Sequence, residues 1–246
     1  MAYTIEIAVN DYPSAAAAVR GGADRIELCS ALSEGGLTPS HGLIKKSLND
    51  FDIPVFPIIR PRAGDFLYTD EEFEIIQEDV LFCKRSGCRG VVAGFLQADG
   101  NIDKERINLI TNIAYPMQVT FHRAFDRCRD PFQALEDIIE AGCSRILTSA
   151  QRLTAIEGTD LIKQLIEAAK DRIIIMPGSG VRKENIKELA EKTGATEFHS
   201  SVKSLANRRM QFIHPTFAEL QDEYTITSVD AEEVKALRKA LLSSLH

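Results

Sequence analysis

The stretch YTIEIAVNDYPSAAAAVRGGADRIELC, residues 3–29, decides the fold class. Tyr3 to Val9 is a short strand-like run, Pro13 and the alanines up to Val19 read as a helix, and Gly21-Gly22 stops it. Arg25 to Cys29 is strand-like again. Between the first strand and its helix stands Asn10-Asp11-Tyr12-Pro13. A doubly wound dinucleotide fold places a Gly-rich phosphate turn there, so that architecture is the runner-up.

Outward from this unit the pattern repeats. Thr38-Pro39-Ser40 opens a helix with Leu43, Ile44 and Leu48 at helical spacing. Pro54 to Ile59 is the third strand, and Thr69 with Glu72 forms a capping box for a helix that ends at Gly87. Gly90 to Ala93, Met117 to His122, Arg145 to Thr148, Arg172 to Met176 and Thr196 to His199 are strands four to eight. Helices follow them from Asp103, from Asp130-Pro131, from about Gly158, and from Arg182 to Thr193, with a last one after Asp230. Eight strand-helix units in 246 residues predict one α/β domain over 1–246, a (β/α)₈ TIM barrel. The segment from about Ser200 to Val229 is a long connection after strand eight, of the length of a lid or a subunit contact.

Composition narrows the function classes. With 29 Lys plus Arg against 36 Asp plus Glu, the net charge of -7 argues against a nucleic-acid partner. The longest apolar runs, such as Ile173 to Gly178, fall far short of a bilayer span, and Glu6 interrupts the only apolar stretch near the start. The expectation is a cytoplasmic protein. Cys29, Cys83, Cys88, Cys128 and Cys143 are odd in number and contain no Cys-x-x-Cys, which predicts reduced thiols.

In a barrel the C-terminal strand ends carry function. Alternation puts Ile5, Ile7, Ile26, Leu28, Val119 and Phe121 outward, so Glu6, Glu27, Cys29, Thr120 and His122 point inward. Glu6, Glu27, Glu197, His122, His199 and Arg60 are expected to converge near the axis, as a ligand site or as a network of self-satisfied ions such as Glu27 with Arg60. Glu27, His122 and His199 are the candidate proton-transfer groups. Arg60 and Arg62, spaced by Pro61, predict a two-guanidinium fork for a carboxylate or phosphate, with surface salt bridges as the other reading. Arg123, Ser149 and the Gly178-Ser179-Gly180 turn before a helix complete a candidate anion site. Cys29 is the single thiol at an inward strand end where a soft metal such as Cu(I) could bind, though a lone cysteine also serves as a small buried hydrophobe.

Several strings carry a family resemblance: Ala23 to Cys29, Glu34 to Ser40, Ile59-Arg60-Pro61-Arg62, Gly64-Asp65-Phe66, Thr120 to Asp126, Ile146 to Ser149, Gly178 to Val181 with Asn185, and Glu197 to Ser201. In order and spacing they resemble the CutC copper homeostasis protein family, over about residues 4 to 201. The resemblance implies a cytoplasmic barrel, commonly a homo-oligomer, with a role in copper tolerance and Cu(I) bound through cysteine. Many bacterial members carry cysteine at the end of strand one, where this chain has Val9 and Asn10. Ala150 stands in place of a usual glycine, and Pro177 precedes the glycine turn. Two readings follow: a copper-binding homeostasis protein using Cys29, and a barrel enzyme working by acid-base chemistry on a small anionic, phosphorylated-sugar-like substrate. A scaffold with its interface after strand eight is the third.

Overall fold

The computed structural model describes residues 3–206, 210–217 and 226–243. The strands are β1 Thr4–Val9, β2 Arg25–Leu28, β3 Val55–Pro57, β4 Gly90–Ala93, β5 Gln118–Phe121, β6 Arg145–Thr148, β7 Ile174–Pro177 and β8 Glu197–Ser200. All pairings among them are parallel, in the orders β3-β2-β1-β8 and β4-β5-β6-β7. A parallel bridge from Ile58 to Val92 joins β3 to β4, and β7 lies beside β8, so the sheet closes as a (β/α)₈ barrel.

The helices are α1 Tyr12–Arg20, α2 His41–Asp50, α3 Asp70–Ser86, α4 Lys104–Ala114, α5 Pro131–Glu140, α6 Thr159–Ala169, α7 Ile186–Thr193 and α8 Ala231–Leu242. Side chains cap them where the sequence places short polar residues: Asp11, Ser40, Asp103, Asp130 and Asp230 each accept from a first-turn N–H, and Thr69 forms the full box with Glu72. Gly87 and Gly194 end α3 and α7 at φ of 88° and 76°, a conformation that glycine adopts without Cβ strain.

Alternation along the strands divides the interior. Ile5, Ile7, Ile26, Leu28, Val119, Phe121 and Phe198 face the helices in the main core. Inside the barrel, Cys29, Phe56, Ile58 and Val92 form a separate small apolar cluster, and the remaining inward positions are mostly polar.

Strands one, two, three, five, seven and eight differ from expectation by one or two residues at their ends, β3 stopping at Pro57 and β7 starting at Ile174, and α7 begins at Ile186 where the sequence suggests Arg182. The late start of α7 is set by a closed turn: Asn185 Oδ1 accepts from the Arg182 N–H at 2.8 Å while its amide donates to the Gly180 carbonyl at 2.8 Å. The segment after strand eight contains two antiparallel strands, β9 Lys203–Ala206 and β10 Ile226–Val229. Beside this pair, the Val229 N–H donates to Ser14 Oγ of α1. Residues 207–209 and 218–225 of that segment lie outside the described residues.

Candidate functional site

The barrel interior holds charge at two depths. At the N-terminal ends of the strands, register sets Glu6 beside Arg25 on β2 and His199 on β8. Arg25 donates from Nε to Glu6 Oε2 at 2.5 Å and from Nη2 to Glu197 Oε2 at 2.6 Å. Arg145 donates to Glu197, to Thr120 Oγ1 and to Gln118 Oε1. Both guanidiniums lie over the Phe56 ring, at 5.1 and 5.3 Å from its centroid. That ring packs where Gly90 has no side chain: a Cβ there would stand 2.4 Å from it. Glu197, expected among the histidines, belongs to this lower layer. Burial pushes the Glu6 carboxyl up, but Arg25 and His199 outweigh it and hold the group down to about 2, so Glu6 is an anion at any physiological pH.

Above this layer lies the mouth. His199 Nδ1 donates to Glu6 Oε1 at 2.7 Å, which turns Nε2 toward Glu27 Oε2 at 3.8 Å. Burial, reinforced by Glu6 and only partly offset by His199, lifts the Glu27 carboxyl to about 7. Burial lowers the basicity of His199, yet Glu27 and Glu6 outweigh it and the net shift is upward. Glu27 and His199 thus form an adjacent pair 3.8 Å apart, both shifted upward, with Glu6 orienting the imidazole.

The expected Glu27–Arg60 ion pair is absent among the described residues. Arg60 is buried in a cage of carbonyls: its Nη atoms donate to Glu34, Gly36 and Gly64. The fork with Arg62 does not form either. Arg62 turns to Glu72 at 2.5 Å and Asp65 at 3.0 Å, tying its loop to the start of α3. Arg60 alone of the two lines the mouth cavity, whose volume is about 250 Å³.

His122 lines the same cavity and is buried. Its Nδ1 accepts from the Ala124 N–H at 3.1 Å, while Nε2 has no partner among the described residues. Burial and the nearby Arg60 charge push its pKa down to about 3, so it is a neutral ring at physiological pH. Arg123 also reaches the cavity, steered by Asp126 at 2.7 Å and by Ser149 Oγ at 2.8 Å. Ser149 itself is fully buried and accepts this bond from behind the wall.

Ser179 and Gly180 line the cavity, but the turn they share with Gly178 is not at a helix N-terminus, because residues 181–185 separate it from α7. The Gly178 N–H already donates to the Thr148 carbonyl. Its missing side chain has another use: a Cβ would meet Leu147 at 2.4 Å and His199 at 3.3 Å, so glycine lets the His199 ring sit where it does. Sequence reasoning missed three contributors. Lys203, in β9, reaches the cavity; Phe66 packs on His122 at 4.8 Å between centroids; Asp126 gathers Thr148, Ser149 and Arg123. Phe66 and Asp126 were visible only as members of the Gly64 to Phe66 and Thr120 to Asp126 strings.

The donor set does not suit Cu(I). Cys29 is fully buried among Phe56, Ile58 and Val92, and its Sγ–H donates to the Val9 carbonyl at 3.2 Å. Burial and then the Glu27 charge push its thiol far up, away from the thiolate that a soft metal needs. The other sulfur inside the barrel, Met176 Sδ, accepts from Arg25 at 3.3 Å. Glu6, Glu27 and His199 offer donor atoms within 4.8 Å of one another, a hard set, and an ion there would have to displace Arg25 or His199 from Glu6.

Fold and site together define the class: a (β/α)₈ barrel with a cavity at its C-terminal mouth lined by charged groups. Within that class the chain belongs to the CutC family, whose model matches residues 3–204. It is 46% identical over 239 residues to the human copper homeostasis protein cutC homolog, covering 96% of this chain and 88% of that one. A CutC family protein of Vibrio vulnificus strain YJ016 is 48% identical over 215 residues, or 87% of this chain and 86% of its own. The crystal structure of the Streptococcus agalactiae CutC protein superposes with a TM-score of 0.77 at 32% identity, over 81% of this chain and 98% of that chain. No helix among the described residues is long and apolar enough to cross a membrane.

Proposed function

We propose that this chain serves copper homeostasis, the role in the names of its human and mouse relatives, by binding and acting on a small anion at the barrel mouth and not by carrying Cu(I) on a thiolate. The observation that carries this reading is what lines the cavity. Arg60, Arg123 and Lys203 supply positive charge beside the Glu27–His199 pair, while the Cys29 thiol is sealed beneath and bonded to backbone. Guanidinium and ammonium groups hold carboxylate or phosphate, and a carboxyl lifted to about 7 beside an imidazole moves protons.

In this reading Glu27 accepts and returns a proton, His199 relays it, and Glu6 stays ionised to orient His199. Arg60 and Arg123 hold the anion, with Ser149 positioning Arg123 from behind. Ser179 and Gly180 shape the wall, Gly178 makes room for His199, and Arg62 acts only by bracing its loop. The protein works as one barrel domain in the cytoplasm and as a homo-oligomer, a state that light scattering on the purified chain tests.

The test pairs two titrations. Reduced protein is titrated anaerobically with Cu(I) against a competing chelator, as wild type and as Cys29→Ser, and thermal shift is read against a panel of small carboxylates and phosphates. Expected are identical, weak copper binding by both chains and a rise in Tm with at least one anion, since a ligand at 100 times its Kd adds about 2.7 kcal/mol. Tight one-to-one copper binding lost in Cys29→Ser would make the chain a thiolate copper protein and overturn the reading.

A further inference from the structure

We propose that His122 is the electrophile of the mouth: its Nε2–H, beside the Arg60 guanidinium, hydrogen-bonds the oxygen of a small anionic carbonyl compound whose adjacent C–H is deprotonated by Glu27. The inference deepens the acid-base reading and rests on it.

The tautomer follows from the backbone. The Ala124 N–H needs an acceptor and finds it in His122 Nδ1 at 3.1 Å, so the ring proton of the neutral imidazole sits on Nε2. That N–H is buried with no partner among the described residues. An unmet buried donor costs about 1–3 kcal/mol, a cost that a ligand oxygen removes. The large majority of buried side-chain polar atoms have a hydrogen-bond partner.

The ring has no room to turn and satisfy itself elsewhere. Gly94 leaves the space it occupies, for a Cβ there would stand 2.5 Å from Nδ1. Phe66 closes on the ring at 4.8 Å, and Arg60 Cζ in turn lies 5.0 Å from the Phe66 centroid. The donor is therefore held in place before any ligand arrives, which is the condition for stabilising charge that develops during a reaction. Because the ring stays uncharged, it donates a hydrogen bond without surrendering its proton, the mode in which a neutral imidazole polarises a carbonyl.

The substrate class follows from the other walls. Three cations, Arg60, Arg123 and Lys203, line the cavity and call for an anion. The volume of about 250 Å³ restricts it to a molecule below the usual range for drug-sized ligands. In the step, the C–H bond next to the carbonyl breaks and its proton passes to the Glu27 carboxylate. The bonding pair forms the C=C of an enolate, and the negative charge collects on the oxygen held by His122 and Arg60. Return of the proton to the same or the neighbouring carbon restores Glu27 and completes an exchange or an isomerisation. No oxidant or second substrate is consumed.

Oxalate, a planar dianion that mimics an enolate bearing a carboxylate, is the probe. In wild-type protein labelled with ¹⁵N at histidine, oxalate is expected to move the His122 Nε2–H proton downfield while the ring stays neutral, and calorimetry is expected to show at least a tenfold loss of oxalate affinity in His122→Phe. The spectrum of the wild type needs no folded variant. No oxalate binding, or binding that leaves the His122 resonance unmoved, overturns the proposal. The carboxyl ¹³C titration of Glu27 reports on the underlying reading separately: a midpoint in the ordinary carboxylate range sinks the acid-base role while a moved His122 signal leaves the oxygen-binding role standing. Glu27 titrating near neutrality beside an unmoved His122 sinks the His122 proposal alone.

Discussion

The two depths of the barrel interior use the same kinds of residue to opposite ends. In the lower layer Arg25 and Arg145 meet Glu6, Glu197, Thr120 and Gln118, each charge answered by another. At the mouth Glu27 has only a 3.8 Å approach from His199, His122 Nε2–H and Arg60 Nε have no partner among the described residues, and the cationic side chains face a cavity. Buried ions that satisfy one another hold a structure together, whereas buried polar groups left incomplete cost stability and mark a place for a ligand. Whether a charged barrel interior is structural or functional is therefore a question to ask at each depth.

The largest effect expected from breaking this contrast is in the lower layer. Arg25→Met removes the shared partner of Glu6 and Glu197 and leaves these buried carboxylates with only His199 and Arg145 against their desolvation, a loss of about 3–5 kcal/mol in urea unfolding. A loss below about 1 kcal/mol would remove the distinction between the layers.

Next in size is the pH dependence of stability. Glu27 is lifted from 4.5 to about 7 in the fold, so the native state binds the extra proton between these values and stability falls as pH rises through them. His199, also raised, adds in the same direction, its contribution being lost as pH climbs through its folded value. From Glu27 alone the fall between pH 4.5 and 8 is on the order of 3 kcal/mol, and Glu27→Gln removes that part. Glu6, lowered to about 2, acts oppositely: its contribution is present above 4.5 and is lost as pH drops toward 2. A stability curve that rises from pH 5 to 8 contradicts this assignment.

What could be read from sequence and what could not divide along the same line. Glu6 between Ile5 and Ile7, and Glu27 between Ile26 and Leu28, are legible as inward positions because their neighbours are apolar and strands alternate. Thr69 with Glu72 marks a helix start on its own. Partner choice is not legible, because it depends on barrel closure. Glu6 meets His199, 193 positions away, only once β1 pairs with β8. Arg60 looks like an ion-pair partner until the loop bearing Glu34 and Gly36 folds its carbonyls around the guanidinium. Lys203 falls in the segment that the sequence marks only as a lid or a subunit contact, and the residue lies in a strand paired with β10 and lines the mouth cavity.

Smaller effects sharpen the contrast. Gly94→Ala sets a methyl 2.5 Å from His122 Nδ1, and is expected to cost about 1–3 kcal/mol of stability and to weaken oxalate binding measured by calorimetry. Smallest is Cys29→Ala: a buried thiol bonded to one carbonyl is worth about 1 kcal/mol, and copper affinity does not change. A copper affinity that falls with this substitution would restore the thiolate site.

The most direct test of the central claim is the unfolding free energy of Glu27→Gln against wild type at pH 8, above the value of about 7 to which the native carboxyl is lifted, where Glu27 is ionised with no nearer approach than His199 at 3.8 Å. A charge kept for a ligand and not for the fold leaves the variant as stable as wild type or more so. Destabilisation on the scale of Arg25→Met would show Glu27 to be part of the same structural network as the layer beneath it, and the account of an open mouth would be wrong.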